Sequence, residues 1–468
     1  MKLTYGIKDK PGIGKTIVFA IQQLLAIMAA TLVVPVIING NVDGLIKDGA
    51  ITWEMTAQMS PAAALFGAGV GTIVYLLFTK FRSPVFLGSS FAFLGSMTAA
   101  FAGAVSMAVG YLGLIIGAIF AGLVYVIIAI IVKVAGVNWI NKLMPMVVIG
   151  PTVAIIGLSL AGNAVGDLQT APAGGDSRIA ILVGLVTLLV TMICSVYSKK
   201  KSMFRLIPFI IGILAGYCFG TILTLIGNAT DTQALMIIKF DSLKALVADG
   251  VGVKTFFTFP DFTFLNAKEG FKALSENWGY LGTIAMAYVP VAFVVFAEHI
   301  ADHKNISSII EKDLLEDPGL HRTLLGDGVG SMAGALFGGC PNTTYGESIA
   351  CVAITGNASV VTILAAAVGA ILIAFFAPFV AFVNSIPSCV MGGVCMALYG
   401  FIAVSGLKMI QKVDLEDNRN LFTVSVILIA GIGGLAVSFG QVTITSIACA
   451  LILGIIVNLA LSGKKSDK

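Results

Sequence analysis

The chain has 468 residues, of which 58% are hydrophobic and 11% are charged, and its formal net charge is +4. Soluble domains carry about 25% charged residues, so this composition excludes a soluble domain and predicts an integral membrane protein with many spans. The basic residues lie mainly in short loops, which indicates membrane orientation rather than a nucleic-acid partner.

Apolar stretches long enough to cross a bilayer recur along the whole chain. Residues 1–15 lack an apolar core, so we expect no cleavable signal peptide. A transmembrane helix needs about 20 mostly apolar residues. On this criterion we predict fourteen segments, at 16–39, 61–79, 86–103, 109–134, 144–162, 178–197, 204–226, 280–302, 321–339, 343–356, 359–384, 387–407, 419–438 and 443–461.

Lys and Arg residues in the short loops predict the orientation of the segments, because cytoplasmic loops are enriched in basic residues. If the chain has fourteen segments, all the clusters of basic residues lie on the same side of the membrane as the N- and C-termini. We therefore expect both termini to be cytoplasmic. Segment 228–279, with a Phe-rich stretch, is then an external connection between two halves. The basic residues are Lys2, Lys8, Lys10, Lys15, Lys80, Arg82, Lys133, Lys142, Lys199, Lys200, Lys201, Arg205, Lys408, Lys412, Arg419, Lys464, Lys465 and Lys468.

Two of the predicted segments are short and interrupted. PVFLGSSFAF (84–93) and PNTTYGESIA (341–350) each place a proline and then a glycine before a half-helix. Non-helical backbone at membrane depth is tolerated only where it is buried in protein or lines a cavity, and transporters build substrate sites from it. A Pro-x4-Gly spacing also recurs at 145–150 and 387–392. In both pairs of similar motifs, the second motif lies seven segments after the first. Because seven is an odd number, the two motifs of a pair cross the membrane in opposite directions, which predicts two inverted repeats.

Two glutamates in apolar surroundings are the candidate ligand-binding groups. A carboxylate at membrane depth costs at least about 2.5 kcal/mol, so such groups are usually functional. Glu347 lies at the first turn of a half-helix, where N–H groups and the helix dipole favour its anionic form; a structural cap or a salt bridge is the alternative. Glu298 lies at the cytoplasmic end of its helix or, if that helix continues through residues 301–310, near mid-depth facing the protein interior.

Asp302 follows Glu298 by four residues, so the two carboxylates share one helical face. In a poorly solvated cavity such a pair tends to hold one proton, which predicts a proton-carrying pair. The alternative is that Asp302 marks the solvated end of the helix. His299 lies about 100° away and is expected to pack or support the site from behind. We expect His303 to face a loop.

Phe91, at the start of the other half-helix, is placed to stack on a flat ligand. Two carboxylates, backbone N–H groups and an aromatic ring predict a site for a small planar molecule with N–H donors and carbonyl acceptors. A nucleobase fits this description. A metal ion is an alternative that leaves Phe91 unexplained. The three His and seven Cys residues show no metal-ligand or disulfide spacing, so we expect no metal, no cofactor and no enzyme.

At these residues the sequence resembles the nucleobase/ascorbate transporter (nucleobase–cation symporter) family, and most closely its bacterial uracil permease branch. The run PNTTYGE together with an upstream AEH is highly specific. The resembling segments are QQLLAIMAATLVVPV (22–36), PVFLGSSFAF (84–93), AEHIADH (297–303), DPGLHR (317–322), CPNTTYGESIACVAIT (340–355) and IPSCVMGGV (386–394).

The resemblance implies an all-α integral membrane protein with fourteen transmembrane segments in two inverted seven-segment repeats. Two interrupted segments, each a strand plus a half-helix, cross at mid-membrane. It further implies a core domain, 1–135 (segments 1–4) and 280–384 (segments 8–11), that moves against a gate domain, 136–227 (segments 5–7) and 385–468 (segments 12–14). Homodimers are usual in the family.

The resemblance also implies roles for particular residues. The carboxylates of Glu298 and Glu347 hold the edge of the base. The backbone groups of Phe91 and Gly346 meet its carbonyl oxygens. The side chains of Tyr345 and Ala30 line the pocket.

Two departures from the family pattern affect base choice and proton path. Asp302 stands where uracil permeases typically carry a His, as it does in xanthine and urate relatives. The family signature has an acid or amide followed by Asn-x-Gly, whereas this chain has Glu347, Ser348, Ile349 and Ala350. Glu rather than Gln at the first position favours the uracil branch.

The sequence thus predicts a proton-coupled importer of a nucleobase, with uracil as the expected cargo, working by alternating access in the cytoplasmic membrane. Glu298 and Asp302 carry the proton, which is the co-transported ion. One alternative is a xanthine/urate or broader purine–pyrimidine permease. A second is a channel or anion transporter on the same inverted-repeat plan, which predicts a basic or neutral residue where this chain has Glu347.

Overall fold

Helices form most of the part of the chain that the computed structural model describes, residues 3–136, 145–199, 202–439 and 442–461. Several basic residues used to predict orientation lie outside it: Lys2, Lys142, Lys200, Lys201, Lys464, Lys465 and Lys468. The helices of the first half are α1 Ile13–Lys47, α2 Pro61–Phe78, α3 Leu94–Ala102, α4 Met107–Ala135, α5 Met146–Ser159, α6 Ala161–Gln169, α7 Ser177–Tyr197, α8 Met203–Leu206 and α9 Pro208–Ala229.

The second half begins with short helices and continues with long ones. The short ones are α10 Asp241–Ala245, α11 Val253–Phe256, α12 Thr263–Ala267 and α13 Gly270–Glu276. The others are α14 Gly279–Ile310, α15 Leu320–Gly338, α16 Gly346–Thr355, α17 Val360–Ile373, α18 Ala377–Ser385, α19 Ser388–Ile410, α20 Asn418–Ile432 and α21 Ser446–Leu461.

Eight helical stretches within the described ranges, one of them α5 and α6 taken together, are long and apolar enough to cross a membrane, and five further apolar helices are shorter. Each of the fourteen predicted intervals overlaps at least one helix. The predicted interval 280–302 ends early, because α14 continues without a break to Ile310. This extension places Glu298 well inside the helix rather than at its end.

Two antiparallel two-stranded sheets interrupt the helices. β1 Leu87–Ser89 pairs with β2 Asn342–Thr344, and β3 Val437–Phe439 pairs with β4 Val442–Ile444. In the first sheet, Gly88 is opposite Thr343. β1 leads through a 3₁₀ turn, Phe91–Phe93, into α3, and β2 leads directly into α16. Both segments predicted to be interrupted therefore contain a short strand followed by a short helix.

Small residues let α2 and α15 approach each other and the second strand closely. A Cβ atom on Gly67 would lie 2.3 Å from the carbonyl oxygen of Gly334, and one on Gly334 would lie 2.0 Å from Nδ2 of Asn342. The Asn342 amide donates to the carbonyl oxygen of Gly67 at 3.1 Å. Any larger side chain at these two glycines would separate the helices that hold β2 in place.

The Phe-rich stretch of segment 228–279 packs on one end of the helices. The rings of Phe66 and Phe262 lie 4.8 Å apart, and those of Phe257 and Phe375 stack at 5.5 Å. Aromatic pairs at these distances add to the free energy gained by burying the rings. Segment 228–279 is thus a folded cover rather than an extended linker.

Candidate substrate-binding site

The first sheet brings the starts of two half-helices together. Beyond the paired residues, the backbone N–H of Ser90 donates to the carbonyl of Pro341 at 2.9 Å, and that of Tyr345 donates to the carbonyl of Phe86 at 3.2 Å. These bonds satisfy backbone groups that would otherwise be costly to bury. The first residues of both half-helices consequently face one cavity.

This cavity has a volume of about 410 Å³. Small-molecule sites commonly measure about 300–1,000 Å³. Its wall is formed by α1, α14, the two half-helix starts and α16 on one side, and by α5, α8, α9 and α19 on the other. The wall includes Phe91, Arg205, Glu298, Asp302, Tyr345, Gly346 and Glu347, and apolar side chains such as Val153, Ile156, Leu398, Phe401 and Ile402 complete it.

Three carboxylates line the cavity and are partly buried: Glu298, Asp302 and Glu347. Glu347 lies in the first turn of α16. Glu298 and Asp302 lie one helical turn apart on α14, and Oδ2 of Asp302 accepts a hydrogen bond from the Thr344 hydroxyl at 2.7 Å. This bond joins α14 to β2, so the structure brings together the three carboxylates that the sequence singled out.

Tyr345 is buried beside the first strand. Its hydroxyl donates to the carbonyl of Ser89 at 2.7 Å, and its side chain is 4% exposed. A Cβ atom on Gly88 would lie 2.3 Å from its ring, so a glycine is required there. Phe91 contacts the cavity from the opposite half-helix, with its ring 6.0 Å from that of Tyr399 in an edge-to-face arrangement.

Ala30 does not line the cavity. It is 1% exposed and belongs to the same hydrophobic cluster as Tyr345, so it supports the site from behind. Leu25 and Ala26 are the α1 residues that reach the cavity. The other residues predicted to form the site all lie in its wall.

Ser348, the residue that departs from the family signature, connects the two interrupted segments. Its hydroxyl oxygen accepts a hydrogen bond from the backbone N–H of Phe86 at 3.1 Å and another from the Gln23 side-chain amide. Ser348 is fully buried. The sequence singled out Ser348 only because it departs from the family signature. That departure does not reveal its partners, Gln23 on α1 and Phe86 just before β1.

A buried hydrogen bond between His299 and Asp327 lies behind Glu298 and was not predicted from the sequence. His299 Nδ1 lies 2.6 Å from Oδ2 of Asp327 on α15, and both side chains are buried. His299 Nε2 lies 3.0 Å from the Thr323 hydroxyl, which donates its own proton to the carbonyl of Leu320. Both ring nitrogens of His299 are thus engaged, Nδ1 with Asp327 and Nε2 with Thr323.

The prediction that His303 faces a loop is wrong. His303 is fully buried, because α14 continues past it and the His303 side chain contacts Tyr75 of α2. Its Nδ1 lies 2.9 Å from the carbonyl oxygen of His299, and its Nε2 lies 2.7 Å from the Tyr75 hydroxyl. The rings of His299 and His303 stack at 4.1 Å, so the back of α14 is a polar, hydrogen-bonded seam.

Arg205 is the other charged residue that sequence reasoning did not assign to the site. It lies on the short helix α8 and lines the cavity with a partly buried side chain. From the sequence it was indistinguishable from the other basic residues of its loop cluster.

A largely apolar helical chain with a carboxylate-lined cavity at two interrupted segments defines a membrane transporter. This class is multi-pass, and the many apolar helices agree with it. The chain belongs to the Permease family (Xan_ur_permease), whose family model matches residues 14–439. The predicted family and the prediction that the protein is a transporter rather than an enzyme are both confirmed.

Curated relatives match almost the whole chain. It is 38% identical to the uracil permease of Bacillus caldolyticus over 461 residues, which are 98% of this chain and 94% of that protein. It is 34% identical to the uracil permease of Escherichia coli (strain K12), over 96% of this chain and 92% of that protein.

Solved structures share the fold at low sequence identity. The transmembrane domain of the cyanobacterium bicarbonate transporter BicA has a TM-score of 0.56 at 14% identity, covering 97% of this chain and 99% of that chain. The murine anion transporter Slc26a9 in its inward-facing state has a TM-score of 0.62 at 10% identity, covering 97% of this chain and 69% of that chain. At these identities the likeness concerns the fold alone.

Proposed function

We propose that this protein imports uracil through the cytoplasmic membrane together with protons. One observation carries the proposal: Glu298, Glu347 and the starts of two half-helices line one cavity in a chain 38% identical to a uracil permease. Uracil offers ring N–H groups to carboxylates and carbonyl oxygens to backbone N–H groups, here those of Phe91 and Gly346. A buried site whose polar groups match the ligand discriminates strongly against analogues that leave them unpaired.

The coupling proton is held by Glu298 and Asp302. They lie on one face of α14 and line the same cavity, and two interacting carboxylates in a poorly solvated site titrate as a pair. The Thr344 hydroxyl donates a hydrogen bond to Asp302 at 2.7 Å, which ties this carboxylate to β2. Thr344 ends β2, which leads directly into the half-helix that carries Glu347. Loss of the proton from Asp302 would therefore act, through Thr344, on the half-helix that binds the substrate.

The transporter works by alternating access between the two walls of the cavity. The core domain, 1–135 and 280–384, contributes the carboxylates, and the gate domain, 136–227 and 385–468, contributes apolar residues and Arg205. The antiparallel pairing of β1 with β2 supports two inverted repeats of seven segments, fourteen in all, because it relates one interrupted segment to the other by an approximate two-fold axis. Segment 228–279 connects the halves externally.

The assembled state in this proposal is a homodimer in the bilayer, with both termini cytoplasmic and no cofactor besides the co-transported proton. Large apolar side chains exposed on α7 and α20, among them Leu189 and Phe422, support contact with lipid or a second copy. Lys8, Lys10 and Lys15 near the start of α1 support the orientation.

Uptake by proteoliposomes tests the proposed function. We expect an inward proton gradient to drive accumulation of [3H]uracil, an ionophore that collapses the gradient to stop it, and sodium to be unnecessary. Excess unlabelled uracil should compete, whereas excess xanthine or bicarbonate should not. Accumulation that needs sodium instead would transfer the coupling to that ion, and competition by xanthine alone would exclude uracil as the preferred cargo.

Replacing Gly346 by Ala tests the position of the ligand. A Cβ atom on Gly346 would meet no protein atom within 4 Å, so we expect the amount of folded protein to be unchanged. An added methyl group in a fitted pocket commonly costs about 10- to 200-fold in specificity, and we expect the KM for uracil to rise within that range. Unchanged KM for the variant would place uracil away from this half-helix.

A further inference from the structure

A chain of side-chain hydrogen bonds joins α6 to α1 and α3. The Asn163 amide on α6 donates to Oδ1 of Asn41 on α1 at 2.6 Å, and the Asn41 amide donates to the Thr98 hydroxyl on α3 at 2.9 Å. All three side chains are half-buried. Four residues further along α6, Oδ1 of Asp167 lies 4.0 Å from the place of a Cβ atom on Gly40. α1 and α6 therefore meet over about one helical turn.

The two helices of this contact belong to different domains of the proposed transporter. α6 is packed tightly onto the gate helices. A Cβ atom on Gly392 of α19 would lie 2.4 Å from the backbone nitrogen of Leu168, and one on Gly184 of α7 would lie 2.2 Å from the Leu168 side chain. Asn41 is held to the core by its hydrogen bond to α3. The hydrogen bond between α6 and α1 thus crosses from the gate domain to the core domain.

The contact lies at the external end of α1, away from the cavity. α1 begins in the basic N-terminal part of the chain, which is predicted to be cytoplasmic, and its residues Leu25 and Ala26 line the cavity. Asn41 lies fifteen residues beyond Ala26, which corresponds to about 22 Å along a helix axis. Arg205, in a loop cluster also predicted to be cytoplasmic, lines the same cavity. The cavity therefore extends towards the cytoplasmic side, while the contact joins the external ends of the two domains.

We propose that Asn41 and Asn163 form an external latch, which holds the core and gate domains together while the substrate cavity faces the cytoplasm. A hydrogen bond between two neutral amides contributes little net free energy, because water replaces it when it breaks. The latch therefore closes the external side without preventing domain movement. For the site to open externally, Asn163 moves away from Asn41, and Thr98 keeps Asn41 in place because both belong to the core. This inference rests on the proposed function, since it needs two domains that move against each other.

Reversible crosslinking tests whether this contact must break during transport. The double variant N41C/N163C carries one thiol on each side of the latch, and a short bis-methanethiosulfonate reagent joins the two thiols until dithiothreitol releases them. We expect the crosslinked protein in proteoliposomes to lose [3H]uracil uptake and dithiothreitol to restore it. Binding of [3H]uracil to the crosslinked protein in detergent should stay within about twofold of wild type, because sites more than about 10 Å apart usually act independently.

N41C/T98C is the matched control, because it crosslinks α1 to α3 within the core domain at a hydrogen bond of similar length. Its crosslinked form should retain uptake, and so should each single-cysteine variant after treatment with the reagent. Equal loss of uptake by both crosslinked pairs would show that the crosslink merely distorts α1, which would overturn the latch.

Two other results would also overturn the latch. Continued uptake by crosslinked N41C/N163C would show that the two ends do not separate during transport. Failure of these thiols to crosslink would show that α1 and α6 do not meet in the membrane. Wild-type protein tests the proposed function separately: if it takes up no uracil while the thiols still crosslink, the proposed function is refuted, and the inference that rests on it fails for that reason.

Discussion

Replacing Glu347 by Gln is expected to reduce uracil uptake strongly while the protein remains folded in the membrane. Glu347 lies at the start of α16, lines the cavity and, in the proposed complex, accepts a hydrogen bond from a ring N–H of uracil. Hydrogen bonds to charged groups contribute about 1.5–3 kcal/mol, and the neutral amide oxygen of Gln is a weaker acceptor than a carboxylate oxygen. Initial uptake rates should fall about 10- to 100-fold.

Glu316→Gln is the matched control for this experiment, because it makes the same exchange at an exposed residue between α14 and α15. Its uptake should equal that of wild type when both are normalised to protein in the membrane. Normal uptake by the Glu347 variant would remove this carboxylate from the binding site.

Replacing Asp327 by Ala is expected to destabilise the protein. The change removes the partner of His299 Nδ1 inside the core and leaves a space where the carboxylate was. Leaving a buried hydrogen-bonding group without its partner costs about 1–3 kcal/mol. We expect less folded protein after extraction, a lower midpoint of thermal unfolding and, in consequence, little transport.

Asp327→Asn is the informative companion variant. Its amide can donate to Nδ1 of His299 or accept a hydrogen bond from it, so the variant keeps this contact while it removes the carboxylate. We expect its thermal midpoint to lie much closer to wild type than that of the Ala variant. Equal midpoints for wild type and the Ala variant would mean that the contact between α14 and α15 contributes little to stability.

The interrupted segments were predictable from the sequence because their signal is local. Proline and glycine residues before Phe91 and before Glu347 stop a helix at a depth where the surrounding chain is apolar. The sequence allows two positions for Glu298, at the cytoplasmic end of its helix or well inside it. The structure places it well inside, since no residue between Ala301 and Ile310 breaks α14.

The supporting contacts were not predictable, because each depends on a partner far along the chain. Asp327 is a single acid in a glycine-rich helix, and only the packing of α15 against α14 reveals its partner His299. Arg205 has the sequence context of an ordinary cytoplasmic loop residue, and only the fold places it in the cavity. Ala30 was assigned by resemblance to the pocket wall, whereas side-chain packing puts it behind Tyr345.

Uracil is expected to bind in the cavity bounded by Glu298, Glu347 and Phe91. Crystals grown with 5-bromouracil can show its position, because anomalous scattering locates the bromine atom independently of the refined structure. We expect a bromine peak inside this cavity, with the ring edge that carries N–H groups towards the two glutamates. A peak elsewhere in the protein, with this cavity free of ligand density, would show that uracil does not bind there.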